Sequence, residues 1–135
     1  MPAREPLTGA DPCELADRWV VDPQVMIRAV QCANAFTRET GREVLIISGH
    51  RTAAEQRALE KAGRPTAAPE LSTHLSCPAT GIDINAGFGV TNVLKAIWGR
   101  IVVMHGLRWG GGSQVDPKTG IPADWNHIDA GPRRG

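Results

Sequence analysis

The chain has 135 residues, of which 41% are hydrophobic and 21% charged, and its formal net charge is +1. This length and hydrophobic content predict one folded domain spanning residues 1–135 with a modest core. Positively and negatively charged residues are interspersed along the sequence. This argues against a nucleic-acid partner, because nucleic-acid binding depends on Lys and Arg clustered against phosphates.

The three cysteines, Cys13, Cys32 and Cys77, are odd in number and form no CxxC pattern. A disulfide framework is therefore not expected, and synthesis in a reducing cytosol fits better. The opening residues, Met-Pro-Ala-Arg-Glu-Pro-Leu, contain no apolar stretch typical of a secretory signal, and no apolar run is long enough to cross a membrane. We therefore expect a protein made in the cytoplasm without a signal peptide and with no membrane partner.

The first part of the chain predicts two helices and a strand. A short helix is expected around residues 14–20. Asp22-Pro23 is typical of an N-cap followed by proline at the first helical position, and Gly41 is a typical helix end. Between them, apolar residues recur at helical spacing: Val25, Ala29, Val30, Ala33 and Phe36. The β-branched run at residues 44–47 predicts a buried strand.

The rest of the chain predicts two further helices and three strands. Thr52-Ala-Ala-Glu55 has the capping-box pattern of a helix that closes near Gly63. Thr91 is expected to cap a helix that stops at Gly106. Strands and loops are predicted from alternation, proline and glycine: strands over residues 80–85, 107–109 and 126–130, a loop over 64–73, and a mobile loop over 110–122. Helices packed on a small, mostly antiparallel sheet indicate an α+β fold.

Two histidines and two aspartates are the candidates for chemistry: His74, Asp83, Asp124 and His127. Two imidazoles and one carboxylate form the ligand set of a catalytic zinc site, which keeps its fourth position for water. Asp124, three residues before His127, could take a proton from that water. Asp83 would have to point away from its isoleucine neighbours, and Asp124 would need a turn to approach His127. The alternatives are a solvent-facing Asp83 and an ordinary surface loop before His127.

Other polar residues have a functional and a structural interpretation. Arg51 ends Ser48-Gly49-His50-Arg51 at a strand-to-helix junction, where its planar guanidinium could polarise a carbonyl or hold a carboxylate. Alternatively, it pairs with a nearby acid. His74-x-x-Cys77 has ligand-like spacing and would make a closed, structural zinc site, although a buried, inert Cys77 is the simpler expectation. His50 and His105 are expected to be structural or exposed.

Taken together, these residues resemble the zinc peptidase family that includes D-alanyl-D-alanine carboxypeptidases, vancomycin-resistance D,D-peptidases and the L-alanyl-D-glutamate endopeptidases of phage endolysins. The resemblance covers about residues 45–128. Three motifs carry it, in the family's order and at compatible distances: Ser48-Gly49-His50-Arg51 before a helix; Ser72-Thr73-His74 leading through Ala79 and Gly81 to Asp83; and Trp109-Gly110 followed by Asp124-Trp125-Asn126-His127. Each motif alone is weak, but their combination is specific.

The resemblance implies a Zn²⁺ ion held by His74, Asp83 and His127, with Asp124 as general base and Arg51 orienting or polarising the substrate carbonyl. It also implies the small α+β fold shared with the hedgehog signalling domain. The expected substrate is the stem peptide of bacterial peptidoglycan, cut by an enzyme of the D,D-carboxypeptidase or L,D-endopeptidase type. Such an enzyme would reach the cell wall after holin release or on a phage particle, together with other virion proteins.

The sequence departs from the family pattern between His74 and Asp83. This segment is two residues longer than usual, with Ser76-Cys77-Pro78 in the extra length, and the order of the small residues at positions 79 and 81 is reversed. A loop absorbs two residues at small entropic cost. Asp rather than Glu at position 124 favours the endolysin branch. The rival expectation is a non-catalytic virion or binding module, because a fold does not by itself imply hydrolysis.

Overall fold

The computed structural model describes residues 4–51, 53–63, 74, 77–87 and 89–131. Within them lie four helices and five strands: β1 (Glu5–Pro6), α1 (Pro12–Trp19), α2 (Pro23–Thr40), β2 (Leu45–Ser48), α3 (Ala53–Lys61), β3 (Gly81–Asn85), α4 (Asn92–Met104), β4 (Arg108–Trp109) and β5 (His127–Asp129). The predicted helices and strands are present, with ends shifted by one or two residues. The predicted cap at Thr52 and the predicted loop at 64–73 lie outside the described residues.

Local capping interactions fix the ends of the two long helices. The Asp22 carboxylate accepts a hydrogen bond from Gln24 N at 2.8 Å, and Gly41 ends α2 in the left-handed conformation at φ 76°. The Thr91 hydroxyl accepts from Leu94 N at 3.2 Å at the start of α4. These contacts satisfy backbone groups that have no partner inside the helix. The sequence motifs that predicted both helices therefore act as predicted.

The five strands form one antiparallel sheet in the order β1-β2-β3-β5-β4. The predicted α+β class with an antiparallel sheet is thus confirmed. Strand β1 was not predicted. It consists of Glu5 and Pro6 at the sheet edge, where a proline is tolerated because one side of an edge strand needs no donor.

The core lies between one face of the sheet and helices α1, α2 and α4. The sheet contributes fully buried isoleucines at positions 46, 82, 84 and 128. Phe36 of α2 and Trp98 of α4 meet edge to face, with ring centroids 5.6 Å apart. Because side chains alternate between the two faces of a strand, residues next to these isoleucines point to the opposite face. Asp83 and His127 occupy such positions.

The segment predicted as a loop after β4 has internal structure. It begins with a 3-10 turn at Gly110–Gly112. Val115 and Pro122 then form an isolated antiparallel bridge, and Ala123 N donates to Gln114 O at 2.8 Å. The chain therefore folds back on itself as a short hairpin before β5. The helices within the described residues are all too short or too polar to cross a lipid bilayer.

Candidate metal centre

Strands β3 and β5 place Asp83 and His127 side by side. The two residues are directly opposite in the antiparallel register and share the face away from the core. The turn that the sequence required before His127 is present, because His127 N donates to Asp124 O at 2.9 Å. Asp83 is therefore directed into a site and not towards solvent, with only 16% of its side chain exposed.

The turn after β2 holds His74. The Nδ1 atom of His74 donates to the carbonyl oxygen of Gly49 at 2.6 Å, and Arg51 N donates to the carbonyl oxygen of His74 at 2.7 Å. Glycine is required at position 49, because a Cβ there would lie 2.5 Å from the carbonyl oxygen of Trp19 at the end of α1. The Ser-Gly-x-Arg motif thus packs against the end of α1, and its Gly49 and Arg51 also hold His74 in position.

Three ligand atoms converge. His74 Nε2 lies 3.1 Å from His127 Nδ1, His127 Nδ1 lies 3.0 Å from Asp83 Oδ1, and His74 Nε2 lies 3.3 Å from Asp83 Oδ1. Ligands of a tetrahedral ion with bonds of roughly 2.0 Å are themselves roughly 3.3 Å apart. The spacing therefore matches the edges of a metal coordination site, and these three residues could bind a metal ion.

The hydrogen bonds of the two histidines determine which nitrogen atoms face the centre. His74 Nδ1 bonds a carbonyl oxygen, and His127 Nε2 bonds the Asp129 carboxylate at 2.6 Å. Neither partner can donate, so in the neutral imidazoles these nitrogens carry the protons. The lone pairs of His74 Nε2 and His127 Nδ1 then face each other and Asp83. Either a proton on one imidazole or a metal cation between the three atoms brings such acceptors together, and the donor set fits a metal site.

Asp129 is the functional residue that the sequence interpretation missed. Its side chain is completely buried, and it accepts hydrogen bonds from Arg108 Nε (2.8 Å), Arg108 Nη2 (3.1 Å) and Gly131 N (2.8 Å) in addition to His127. Such a carboxylate fixes the tautomer and orientation of a ligand histidine. The sequence did contain a signal for this contact, because residues 127 and 129 are two apart in a predicted strand and therefore lie on the same face.

Gly111 covers the His127 ring on the side of Asp129. Its φ is 58°, and a Cβ at this position would lie 2.6 Å from His127 Cδ2 and 3.3 Å from Asp129 Oδ2. Both the positive φ and the close approach favour glycine. The three-glycine turn after β4 is thus packed against His127, one of the three candidate metal ligands.

The charges at the centre shift the pKa values of its members. Burial alone would raise the pKa of Asp83, but hydrogen bonds from His127 and His74 outweigh it and hold that pKa well below its usual range. Burial alone would lower the pKa of His127, but its bonds to Asp129 and Asp83 raise it to about 9. Burial would also raise the pKa of Asp129, but its hydrogen bonds from His127 and Arg108 lower that pKa to about 2.

The two remaining predicted site residues lie beside the candidate ligands. Arg51 Nη2 is 3.8 Å from Asp83 Oδ2, so the arginine does pair with an acid, and that acid belongs to the centre. The Asp124 carboxylate is partly buried and interacts electrostatically with Asp83, His127, His74 and Arg51. Burial, followed by the negative charge of Asp83, raises the pKa of Asp124. The structure thus brings all five predicted residues together.

The alternative zinc ligand does not join them. Cys77 is exposed, so the prediction of a buried cysteine was wrong. The buried residue of this turn is Ala79, which pairs with Val21, and Cys77 lies two residues earlier on the surface. His105 lies at the end of α4, where its Nδ1 contacts Ile101 O at 2.8 Å. In the part of the chain that the structure describes, only His74, Asp83 and His127 form a three-residue candidate metal group.

Comparison with known proteins adds no family to this description. No protein-family model matches the chain, and no curated protein matches it. The resemblance to zinc peptidases therefore stays an interpretation of the motifs.

Proposed function

We propose that this protein is a zinc-dependent peptidase that hydrolyses amide bonds in the stem peptides of bacterial peptidoglycan. The observation that carries the proposal is the convergence of three ligand atoms within 3.0 to 3.3 Å of one another. A partly buried carboxylate, Asp124, and a buried guanidinium, Arg51, lie beside them. A metal-binding module without catalysis has no need for the last two residues.

Zinc is the metal that this donor set favours. Two imidazole nitrogens and one carboxylate oxygen at tetrahedral spacing are typical of catalytic zinc, whereas calcium and magnesium prefer oxygen ligands alone. His74 Nε2, His127 Nδ1 and Asp83 Oδ1 would hold the ion. When bound, zinc supplies Lewis acidity, which polarises a carbonyl and makes a coordinated water acidic near neutral pH.

Asp124 is the group suited to move the proton. Its raised pKa makes it a stronger base than an exposed aspartate, which brings it closer to the pH at which a general base works best. Its carboxylate oxygen accepts a proton from the attacking water as the new carbon–oxygen bond forms. It then delivers that proton to the amine nitrogen as the carbon–nitrogen bond breaks, so the protons balance over one turnover.

Arg51 is the group suited to bind the scissile carbonyl oxygen as it becomes negative. Its backbone is fixed by the hydrogen bond to His74 O, and only 11% of its side chain is exposed. A buried guanidinium of fixed position stabilises a developing oxyanion without having to reorganise. Its charge also offsets that of Asp83, with which it pairs at 3.8 Å.

The substrate class and the finer fold belong to the same proposal. Both rest on the order of the three sequence motifs, which resembles that of peptidoglycan peptidases with the hedgehog-type fold. An antiparallel sheet with helices on one face and the centre on the other is compatible with that fold, but it does not select the bond that is cut.

The test measures zinc and cleavage in the same preparations. We expect one bound zinc in the wild type, in Asp124→Asn and in the exposed-residue control Asp17→Asn, by elemental analysis. Purified sacculi should yield new peptide termini, read by mass spectrometry, with the wild type and the control but not with Asp124→Asn. His127→Ala should lose both zinc and cleavage.

Two results would contradict parts of this proposal. Full zinc content in His127→Ala would show that the ligand assignment is wrong. One zinc in the wild type without any cleavage of sacculi would instead favour a non-catalytic binding module. The new termini, if they appear, identify the bond.

A further inference from the structure

The backbone of the candidate base Asp124 is held on both sides. Its N–H donates to the hydroxyl oxygen of Ser113 at 3.0 Å, and its carbonyl oxygen accepts from His127 N at 2.9 Å. Within the residues that the structure describes, the Asp124 carboxylate itself makes no hydrogen bond to another protein group. An aspartate side chain has only two torsion angles, so the position of this carboxylate depends on the two backbone bonds.

Ser113 is fixed in turn by the glycines that precede it. Its N–H donates to Gly110 O at 3.0 Å, which closes the 3-10 turn after β4. This turn is packed on two sides, because a Cβ at Gly110 would lie 2.5 Å from Pro122 Cβ. A Cβ at Gly111 would likewise lie 2.6 Å from His127 Cδ2. The Ser113 hydroxyl therefore belongs to a segment in close contact with a candidate metal ligand.

Proton transfer by Asp124 depends on this connection. A general base must stay within hydrogen-bond reach of the water whose proton it takes, and a displacement of about 1 Å can lower the rate about a hundredfold. The bond from His127 N holds only the carbonyl side of Asp124. Without the Ser113 hydroxyl, the N–H of Asp124 would have to bond water instead, and the carboxylate would sample a wider range of positions.

We infer that Ser113 is a positioning residue for the candidate base. By accepting the N–H of Asp124, its hydroxyl oxygen keeps the Asp124 carboxylate in place beside the candidate metal ligands. The inference rests on the proposed peptidase function. Ser113 acts through Asp124 and contacts neither the metal nor the substrate. Removal of the hydroxyl should therefore slow the chemical step without weakening the binding of zinc or of the substrate.

The test compares three variants with the wild type. Ser113→Ala removes the acceptor. Ser113→Thr retains it on an extended backbone, with φ −66° and ψ 162°, that suits a β-branched side chain. The matched control Thr119→Ala removes another hydroxyl that accepts a backbone N–H, that of Ile121 at 3.3 Å, from the hairpin that precedes β5.

Three properties of each protein are measured. The kcat and KM are determined on soluble muropeptides that a muramidase releases from purified sacculi. Zinc affinity is determined by competition with a chelating dye. Hydrogen exchange of the Asp124 backbone amide is followed by NMR in the zinc-loaded protein, which reports directly on the bond to Ser113 and needs no cleavage.

We expect Ser113→Ala to lower kcat about tenfold, with KM and zinc affinity within about twofold of the wild type. The Asp124 amide should exchange about tenfold faster, because its hydrogen bond is lost. Ser113→Thr should restore both the kcat and the exchange rate, and Thr119→Ala should change neither.

An unchanged exchange rate or an unchanged kcat in Ser113→Ala would overturn the inference, as would an equal loss of kcat in Thr119→Ala. Equal cleavage by the wild type and Ser113→Ala rejects the positioning role alone and leaves the peptidase intact. Bound zinc without cleavage by the wild type would instead reject the peptidase, and with it any catalytic role of Ser113. Faster exchange in Ser113→Ala would then show a structural contact only.

Discussion

Replacing Asp129 by asparagine tests the idea that a buried carboxylate fixes the metal-binding form of His127. The carboxylate receives four hydrogen bonds, two at each oxygen: from His127 Nε2 (2.6 Å) and Arg108 Nη2 (3.1 Å) at Oδ2, and from Arg108 Nε (2.8 Å) and Gly131 N (2.8 Å) at Oδ1. The asparagine amide keeps only one acceptor oxygen. Its NH2 group takes the place of the other oxygen and must face two of these four donors.

The structure gives a magnitude for this change. The lowering of the pKa of Asp129 from 3.8 to about 2 corresponds to about 2 kcal/mol in favour of the charged form. If the asparagine NH2 faces His127, the imidazole proton moves to Nδ1, and the atom that should bind the metal becomes a donor. We therefore expect Asp129→Asn to weaken zinc binding between about tenfold and about a hundredfold.

Zinc affinity is measured by competition with a chelating dye for the wild type, Asp129→Asn and the exposed control Asp17→Asn. Urea unfolding of the metal-free proteins checks that the variant is folded under the assay conditions. Zinc affinity of Asp129→Asn within about twofold of the wild type would refute the reasoning, because the proton on His127 Nε2 would then not determine which nitrogen binds the metal.

Two further predictions follow from the same centre. Gly111→Ala places a Cβ 2.6 Å from His127 Cδ2, so we expect zinc binding to weaken about tenfold. The control Gly120→Ala has a similar φ of 72° and open space around the new Cβ, so it should reveal only the cost of backbone strain. Equal zinc affinities of the two variants in the same dye competition would exclude a steric role for position 111. Burial opposes protonation of His127, but its bonds to Asp129 and Asp83 raise its pKa from 6.5 to about 9. The protonated imidazole therefore stabilises the folded, metal-free protein, and this contribution is complete below pH 6.5, the pKa in the unfolded chain. This contribution is lost as pH rises through 9, so the Tm measured in the presence of a chelator should fall between pH 6.5 and pH 9.5. The Tm of the zinc-loaded protein should not fall for this reason, because the metal takes the place of the proton.

The helices could be predicted because their signals are local. Asp22-Pro23 and Gly41 bound α2, and Thr91 caps α4, through contacts between residues close in sequence. Strand β1 could not be predicted in this way. Glu5 and Pro6 show no alternation, and they become a strand only by pairing with residues 45 and 46, which is a tertiary event.

The candidate ligands could be predicted for a different reason. Asp83 between two isoleucines is local evidence for a polar side chain directed away from the core, and the order of the motifs indicated its partners. The burial of Asp129 could not be read from the sequence, because it depends on Arg108 from β4 and Gly111 from the glycine turn. Cys77 was misplaced because its exposure depends on how the chain enters β3.

Charge balance connects the two arginines with the proposed chemistry. The centre and its immediate surroundings hold three carboxylates, Asp83, Asp124 and Asp129, and two guanidinium groups, Arg51 and Arg108. With neutral imidazoles and ionised acids, this set has one negative charge in excess. A divalent cation changes the excess to one positive charge. In the proposed hydrolysis the proton that Asp124 accepts balances the negative oxygen that develops on the substrate carbonyl, so the net charge stays constant. The negative charge that Arg51 and Arg108 leave uncompensated therefore favours a bound cation at His74, Asp83 and His127.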